Sequence, residues 1–169
     1  FADPDHFIYE HLPESKSDQL LASPLSMQQF LDLPHIRGRF FAYGLGFEPF
    51  ALHAVMEGDG TMELAVTCPD SVSIDANLED KKGVAFRKAC MVLQEGNTAR
   101  ILVAFPAAGN FTFILYGRES RSASRDMEGL LELALINIGS AREQPAFPEF
   151  HTPYYAKKCR LIEPLQGIL

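Results

Sequence analysis

Cysteine is the residue type in this chain with the most reactive side chain, and it occurs three times, at Cys68, Cys90 and Cys159. A catalytic cysteine needs a histidine base oriented by an aspartate, and its thiolate is stabilised at a helix N-terminus. Cys68 closes an extended run before Pro69, Cys90 lies within an apolar run, and Cys159 lies in the tail, none of them at a glycine-flanked helix start. The sequence therefore predicts buried or incidental thiols and no catalytic residue. Their odd number and irregular spacing favour a reducing compartment over a disulfide scaffold.

The first residues of the chain include acids and histidines that could be assembled into a metal site. The two histidines are five positions apart, one more than on a zinc-binding helix, and prolines at positions 4 and 13 disfavour a regular helix. We expect a solvated acidic lead-in, with no metal and no cofactor. The residues concerned are Asp3, Asp5, His6, Glu10 and His11.

Acidic residues also recur around the predicted turns in the middle of the chain. A calcium-dependent sandwich of the C2 type would cluster such acids at one end. Here the spacing distributes them over turns at both ends, which favours surface solvation and leaves calcium or lipid binding as an alternative function. The residues are Glu57, Asp59, Asp70, Asp75, Glu79 and Asp80.

Residues 118–125 form the one basic, hydroxyl-rich loop of an acidic chain. Three arginines among three serines suit either an acidic partner or a phosphorylation site whose added charge would alter the loop. The plainer interpretation is a mobile polar hairpin loop. The candidate residues for partner binding or phosphorylation are Arg118, Ser120, Arg121, Ser122, Ser124 and Arg125.

The bulk composition limits the classes of partner. A net charge of −7 over 169 residues argues against nucleic acid and against an anionic membrane surface. A hydrophobic content of 47% supports one domain with attachments. No apolar run approaches the length of a membrane span, and no signal peptide is visible. The chain begins at Phe rather than Met, so we interpret it as a piece of a longer protein.

The elements that position these residues are mostly short strands. Seven strand-like runs alternate with turn signals, which is typical of an all-β, immunoglobulin-like Greek-key sandwich. Residues 110–117 are predicted as a central strand, because aromatic and β-branched residues alternate there between two faces. The predicted strands cover residues 51–56, 62–67, 72–78, 89–93, 100–105, 110–117 and 131–138.

The last of these runs is ambiguous between strand and helix. Its apolar residues also fit a helical stripe with Asp126 as a cap. We predict a strand, because a sandwich needs a neighbour for residues 110–117. The residues of the stripe are Met127, Leu130, Leu131, Ala134, Leu135 and Ile138.

Two flanking segments complete the predicted organisation. Residues 1–50 form a lead-in that packs on the sandwich, with a short helix whose capping box is Ser26 and Gln29 and which ends before Pro34. Within the lead-in, the aromatic run over residues 40–47 is expected to cover an end or edge of a sheet. Residues 51–139 form the sandwich. Residues 140–169 read as an extended proline- and aromatic-rich linker followed by the first strand of another repeat.

Three stretches resemble the immunoglobulin-like domains of the kyphoscoliosis peptidase and hillarin family, whose members have a transglutaminase-like core. They are LPHIR at residues 33–37 with FFAYGL at 40–45, GNFTFILYG at 109–117, and the segment from FP at 147–148 through LIEPLQGIL at 161–169. Their order along the chain carries the resemblance, which covers most of its length.

The resemblance implies a non-catalytic sandwich beside a transglutaminase-like core, in an intracellular, cytoplasmic or cytoskeletal protein. The partners it implies are proteins, among them cytoskeletal ones or the chain's own catalytic core, and the oligomeric state stays open. The alternatives are a fragment of a cysteine-nucleophile enzyme, protease or transglutaminase, and a calcium- or lipid-binding sandwich.

Overall fold

The fold is known from a computed structural model that describes residues 3–48, 51–124 and 126–139. Eight strands form two sheets that pack face to face. The strands are β1 (His35–Ile36), β2 (Val55–Gly58), β3 (Thr61–Thr67), β4 (Val72–Asp80), β5 (Cys90–Glu95), β6 (Thr98–Ala104), β7 (Gly109–Glu119) and β8 (Glu128–Asn137). The predicted linker and following strand at 140–169 lie outside the described residues.

The larger sheet has the central strand that the alternation predicts. β7 pairs antiparallel with β4 on one side and with β8 on the other. The far edge of β8 is shared by two short strands, β1 antiparallel and β2 parallel. The smaller sheet has the order β3–β6–β5, with antiparallel pairing throughout.

This connectivity is that of an immunoglobulin-like sandwich. The sheets β3–β6–β5 and β4–β7–β8 correspond to the B–E–D and C–F–G sheets of that fold. The first strand normally extends the B–E–D sheet beside strand B. Here the early strands β1 and β2 both join β8 instead, and among the described residues Gly46 forms a single bridge with Thr67 on the free side of β3.

The core lies between the two sheets and includes residues from the lead-in. Inward-facing residues of β7 and β8 such as Phe113, Leu115 and Leu133 are at most 1% exposed. Ile36 and Phe40 of the lead-in are fully buried in the same cluster. The sequence predicts that the aromatic run at 40–47 covers an end or edge of a sheet; Gly46 does lie beside β3 through its bridge to Thr67, whereas Phe40 is buried in the core itself.

The lead-in consists of short helical segments. They are α1 (Pro4–Phe7), α2 (Met27–Leu31) and α3 (Gly38–Ala42), with a 3₁₀ turn at Lys16–Gln19. The capping box predicted for α2 is present, since Ser26 Oγ accepts from Gln29 N and the Gln29 side chain accepts from Ser26 N. No helix in the described part of the chain is long and apolar enough to cross a membrane.

The ambiguous last run is a strand, as predicted, and it contains a bulge. Leu131 lies opposite Leu115, whereas Gly129 lies opposite Tyr116, so Leu130 is the additional residue. Leu130 is fully buried, and a Cβ at Gly117 would overlap its Cδ1 atom. The glycine at position 117 therefore leaves the space that the bulged leucine occupies.

Candidate interaction surface

The two described cysteines are free thiols, of which Cys68 is buried in the core and Cys90 is partly buried against it. Cys68 follows β3, is fully buried, and its Sγ donates to the carbonyl oxygen of Val72 at 3.7 Å. Burial, with the Asp70 charge as a smaller cause, raises the pKa of Cys68 to about 11. Burial and the Asp75 charge raise the pKa of Cys90 to about 12. Thiolate is the nucleophilic form, so the raised pKa values lower the reactive fraction of both groups at neutral pH. Cys159 lies outside the described residues.

A histidine–aspartate pair exists in the domain, but it does not serve a thiol. His53 Nδ1 and Asp32 Oδ2 are 2.9 Å apart at the surface. The hydrogen bonds of Cys68 go instead to backbone carbonyls and to Gln94. Among residues 3–48, 51–124 and 126–139, no histidine is hydrogen-bonded to Cys68 or Cys90, so these residues do not assemble a Cys–His–Asp site.

The acids and histidines of the lead-in have structural contacts of their own. Asp3 Oδ1 accepts from Asp5 N and caps α1, in which proline occupies the first turn. Pro4 opens α1, where the first helical position needs no N–H donor, and the helix ends at Phe7, so His6 and His11 do not share a regular helix. His6 stacks on Phe41 with ring centroids 3.9 Å apart. Across the described ranges, no group of three or more His, Cys, Asp or Glu residues is placed to hold a metal.

The loop after β7 begins later than the sequence predicts. β4 and β7 stay paired as far as Val72 and Glu119, so Arg118 belongs to the strand, opposite Ser73, and not to a mobile loop. Its Nη1 atom donates to the carbonyl of Ser124 at 2.8 Å. Arg118 therefore holds the two ends of the loop together.

The serines of this loop are also engaged. Ser120 N donates to the Ser71 carbonyl at 2.7 Å, and Ser120 Oγ lies 3.0 Å from Ser73 Oγ, which ties this loop to the one between β3 and β4. Ser122 Oγ accepts from Ser124 N, and Ser124 Oγ donates to Asp126 Oδ2. The loop is thus a hydrogen-bonded turn.

Among its arginines, Arg121 is exposed, whereas Arg125 lies outside the described residues. Of the six predicted site residues, the structure brings Arg118 and Ser122 into contact with Ser124 and leaves Arg121 facing solvent.

The outer face of the smaller sheet is a feature that sequence analysis missed. Glu63 and Arg100 form a bidentate pair across β3 and β6, with Nε–Oε1 at 2.7 Å and Nη2–Oε2 at 2.8 Å. The register of the strands places apolar residues around this pair on the same face. Only the strand pairing reveals the contact of Glu63 with Arg100, because the two residues are 37 positions apart in sequence. The apolar neighbours are Ala65, Met91, Leu93, Leu102 and Ala104.

Comparisons with known proteins agree with this architecture. The model of the KY-like, immunoglobulin-like domain family matches residues 27–148. Hillarin of Drosophila melanogaster is 29% identical over 128 residues, which cover 68% of this chain and 16% of hillarin. The Lim and transglutaminase domain protein ltd-1 of Caenorhabditis elegans is 35% identical over 82 residues, which cover 46% of this chain and 11% of ltd-1. The chain thus spans less than a fifth of either relative.

A solved structure, the ASH/PapD-like domain 7 of human CEP192, is 13% identical, and the match covers 77% of this chain and 99% of that domain. Its TM-score of 0.28 is too low to add to the fold assignment.

Proposed function

The chain belongs to the KY-like, immunoglobulin-like domain family. We propose that it is a non-catalytic interaction or scaffold domain of a larger transglutaminase-like protein. We propose that it binds proteins, and the two candidate partners are a cytoskeletal protein and the catalytic core of the parent protein. The relatives that match it, hillarin and a Lim and transglutaminase domain protein, are several times longer than the matched region, which supports its role as one part of a larger chain.

The observation that carries the non-catalytic role is the state of the two described thiols. A nucleophilic cysteine has a lowered pKa and a base within hydrogen-bond reach. Cys68 and Cys90 have the opposite properties, since burial raises their pKa values to about 11 and about 12. With the thiolate disfavoured at neutral pH, both are poor nucleophiles for acyl transfer or peptide cleavage.

Site-resolved alkylation tests this role. The 169-residue chain is treated with iodoacetamide at pH 7.5, and modification at each cysteine is followed by peptide mass spectrometry, with glutathione as the reference thiol. We expect Cys68 and Cys90 to react far more slowly than glutathione, and their rates to rise about tenfold per pH unit toward the raised pKa.

The alternative function is that of an enzyme fragment in which one of these thiols is the nucleophile. It predicts alkylation of Cys68 or Cys90 faster than glutathione at pH 7.5. It also predicts turnover of an acyl-donor peptide that disappears in Cys68→Ala or Cys90→Ala. Either result would overturn the non-catalytic role.

For the partner contact, we propose the loop after β7, with Arg121 as its solvent-facing cation. An exposed arginine on an otherwise acidic chain favours an acidic partner segment. Partner capture from a cytoskeletal extract is compared between the unmodified chain, Arg121→Glu and the control Lys82→Glu, which makes the same charge change in the turn after β4. We expect Arg121→Glu alone to reduce capture. Equal capture by all three chains would remove the loop as the contact.

A further inference from the structure

The loop after β7 carries three serines, and the structure distinguishes between them. Ser120 is held where β4 and β7 still meet, since its N donates to the Ser71 carbonyl at 2.7 Å. Its Oγ lies 3.0 Å from Ser73 Oγ and 3.4 Å from the Asp70 carbonyl oxygen. A phosphoryl acceptor needs a hydroxyl that can align with the γ-phosphate of a nucleotide. Ser120, tied to the neighbouring loop by backbone and side chain, is a poor acceptor of this kind.

The other two serines, Ser122 and Ser124, lie beyond the paired strands and are exposed. Ser122 N donates to the Glu119 carbonyl at 3.0 Å, and Ser124 Oγ donates to Asp126 Oδ2 at 3.3 Å. These bonds run within the loop itself, so this stretch can open without separating β7 from β4. Segments held by exposed local hydrogen bonds open at small cost in free energy. Both hydroxyls are therefore within reach of an enzyme.

The charges of the loop select Ser124 over Ser122. The side chain three positions before Ser124 is Arg121, an exposed cation, whereas the one three positions before Ser122 is Glu119. Kinases recognise their substrates by such charge patterns, and an arginine is held by carboxylates of the enzyme through charge-assisted hydrogen bonds. Ser124 is therefore the hydroxyl that suits a kinase directed by arginine.

We propose that Ser124 is phosphorylated by an arginine-directed serine kinase and that the phosphate turns off binding of an acidic partner at Arg121. This proposal rests on the interaction role proposed above and assigns its regulation. In the reaction, Ser124 Oγ attacks the γ-phosphorus of ATP, and the new Oγ–P bond replaces the bond from that phosphorus to the β,γ-bridging oxygen. ADP leaves, and the hydroxyl proton passes to the catalytic aspartate of the kinase.

The charge of the loop explains why a phosphate acts as a switch. Residues 118–126 have a net charge of +1, from three arginines against Glu119 and Asp126. A phosphoserine adds a charge of about −1.5 to −2 at pH 7. The loop thus changes sign, in a chain whose net charge is already −7. An acidic partner attracted by Arg121 is then repelled from the same loop.

The contacts of Ser124 show what else the phosphate changes. Arg118 Nη1 donates to the Ser124 carbonyl at 2.8 Å, so its guanidinium already lies beside this residue. A phosphate on Oγ is a stronger acceptor than that carbonyl, because both partners of the new hydrogen bond are charged. Ser124 Oγ at the same time loses the proton that it donates to Asp126 Oδ2, and the phosphate repels this carboxylate. We expect Arg118 to bind the phosphate and the turn between Ser124 and Asp126 to open.

Site-resolved phosphorylation of the 169-residue chain tests the assignment. The chain is incubated with cyclic AMP-dependent kinase and ATP, and each modified serine is located by peptide mass spectrometry. We expect the phosphate on Ser124, an initial rate lower by about tenfold or more in Arg121→Gln, and an unchanged rate in the control Ser120→Ala. Absence of phosphate from Ser124, or an unchanged rate in Arg121→Gln, would show that the loop is not such a site.

Phosphorus NMR on the chain with phosphoserine at position 124 tests the contact with Arg118. The second pKa of phosphoserine is ordinarily about 6. A guanidinium beside the phosphate favours its dianion, so we expect a pKa below this value and a return toward it in Arg118→Gln. Lys82→Gln is the control, since it lies after the other end of β4, and it should leave the pKa unchanged. Equal pKa values in all three chains would contradict the proposed contact of Arg118 with the phosphate.

Capture from a cytoskeletal extract separates this regulation from the interaction role itself. We expect phosphorylation at Ser124 to reduce capture as much as Arg121→Glu does. If Arg121→Glu reduces capture and phosphorylation does not, the loop contact stands and the proposed switch is wrong. If neither change reduces capture, the loop contact and its regulation are both wrong. Capture that rises with the phosphate would mean that the partner binds phosphoserine, which also overturns the switch.

Discussion

Asn137 is the buried polar side chain that joins three parts of one end of the sandwich. Only 3% exposed, it accepts from Gly60 N at 2.8 Å and Gly139 N at 3.1 Å, and it donates to the Ala107 carbonyl at 2.8 Å. Removing it leaves three backbone groups without partners at once. We expect Asn137→Ala to lower the free energy of unfolding by about 2–4 kcal/mol, measured by urea denaturation.

Asn110→Ala is the matched control for that variant. Asn110 is an exposed asparagine near the same end of the domain, and its loss should change stability by less than about 0.5 kcal/mol. Similar losses from the two variants would mean that the three hydrogen bonds of Asn137 do not matter to the fold.

The Glu63–Arg100 pair predicts a pH dependence with a definite sign. Hydrogen bonds from Arg100 hold the pKa of Glu63 below its ordinary value. The ionised Glu63 carboxylate therefore stabilises the folded state at pH values above its pKa in the unfolded chain. This stabilisation is lost as the pH falls through the lower pKa of Glu63 in the folded state. We expect an NMR titration to give Glu63 a pKa that rises toward its ordinary value in Arg100→Leu. It should not move in the control Arg121→Leu, and an unchanged pKa in both variants would contradict the assignment.

At the residue scale, the sequence predicts that its cysteines are buried or incidental thiols, but it does not show the polar contacts. Cys68 and Cys90 lack a suitable helix start in sequence, and burial raises their pKa values in the structure. By contrast, Asn137 resembles any other asparagine near a turn, and its partner Gly60 is 77 positions away. The contact of Arg118 with Ser124 was missed for a different reason, because where a strand ends depends on its neighbour.

The local geometry of the bulge in β8 predicts the effect of a substitution on stability. Gly117 faces Leu130, and a Cβ there would overlap the leucine side chain. We expect Gly117→Ala to lower the free energy of unfolding by about 1–3 kcal/mol through overpacking. Gly129→Ala is the control, since its Cβ would meet only ordinary contacts, the nearest at 3.5 Å from Arg37.

A double-mutant cycle with Leu130→Ala tests the cause. Because the truncated side chain makes room for the added methyl, the loss in the double variant should be smaller than the sum of the two single losses. Strict additivity would mean that Gly117 matters for some other reason, such as backbone conformation.

At the element scale, six of the seven predicted strands occur close to their predicted bounds, because alternation and turn residues mark half-buried strands in sequence. The strand predicted at 51–56 is shifted, since β2 begins only at Val55 and extends to Gly58, where β8 provides a partner. β1 was not predicted, since His35 and Ile36 are too short a run to show alternation and pair only because β8 offers them an edge. β4 and β7 extend past their predicted ends for the same reason.

At the scale of the whole molecule, the lead-in contributes directly to the core. Ile36 and Phe40 are fully buried, and burial of each such side chain contributes about 1.5–3 kcal/mol. A chain beginning at residue 51 also loses Leu45, 4% exposed, and β1. We expect this truncated chain to lose cooperative thermal unfolding, as measured by calorimetry.

A chain beginning at residue 25 is the control for that truncation. It keeps Ser26, the cap of α2, together with Ile36 and Phe40, and loses the packing of Ile8 and of Tyr9 against Phe47. We expect it to unfold cooperatively at a lower temperature than the full chain. Cooperative unfolding of the chain beginning at residue 51 would show instead that the sandwich is independent of the lead-in.

The parallel pairing of β2 with β8 has a mechanical consequence. The two strands lie side by side from Val55 opposite Ala134 to Gly58 opposite Asn137, with further bonds from Ala134 N to the Ala54 carbonyl and from Ile138 N to the Gly58 carbonyl. Tension applied to the chain before β2 and after β8 pulls these neighbours in opposite directions along their own axes. All of their hydrogen bonds are then loaded together in shear and cannot open one after another. This strand pair therefore resists stretching along its axis more strongly than it resists being peeled open from one end.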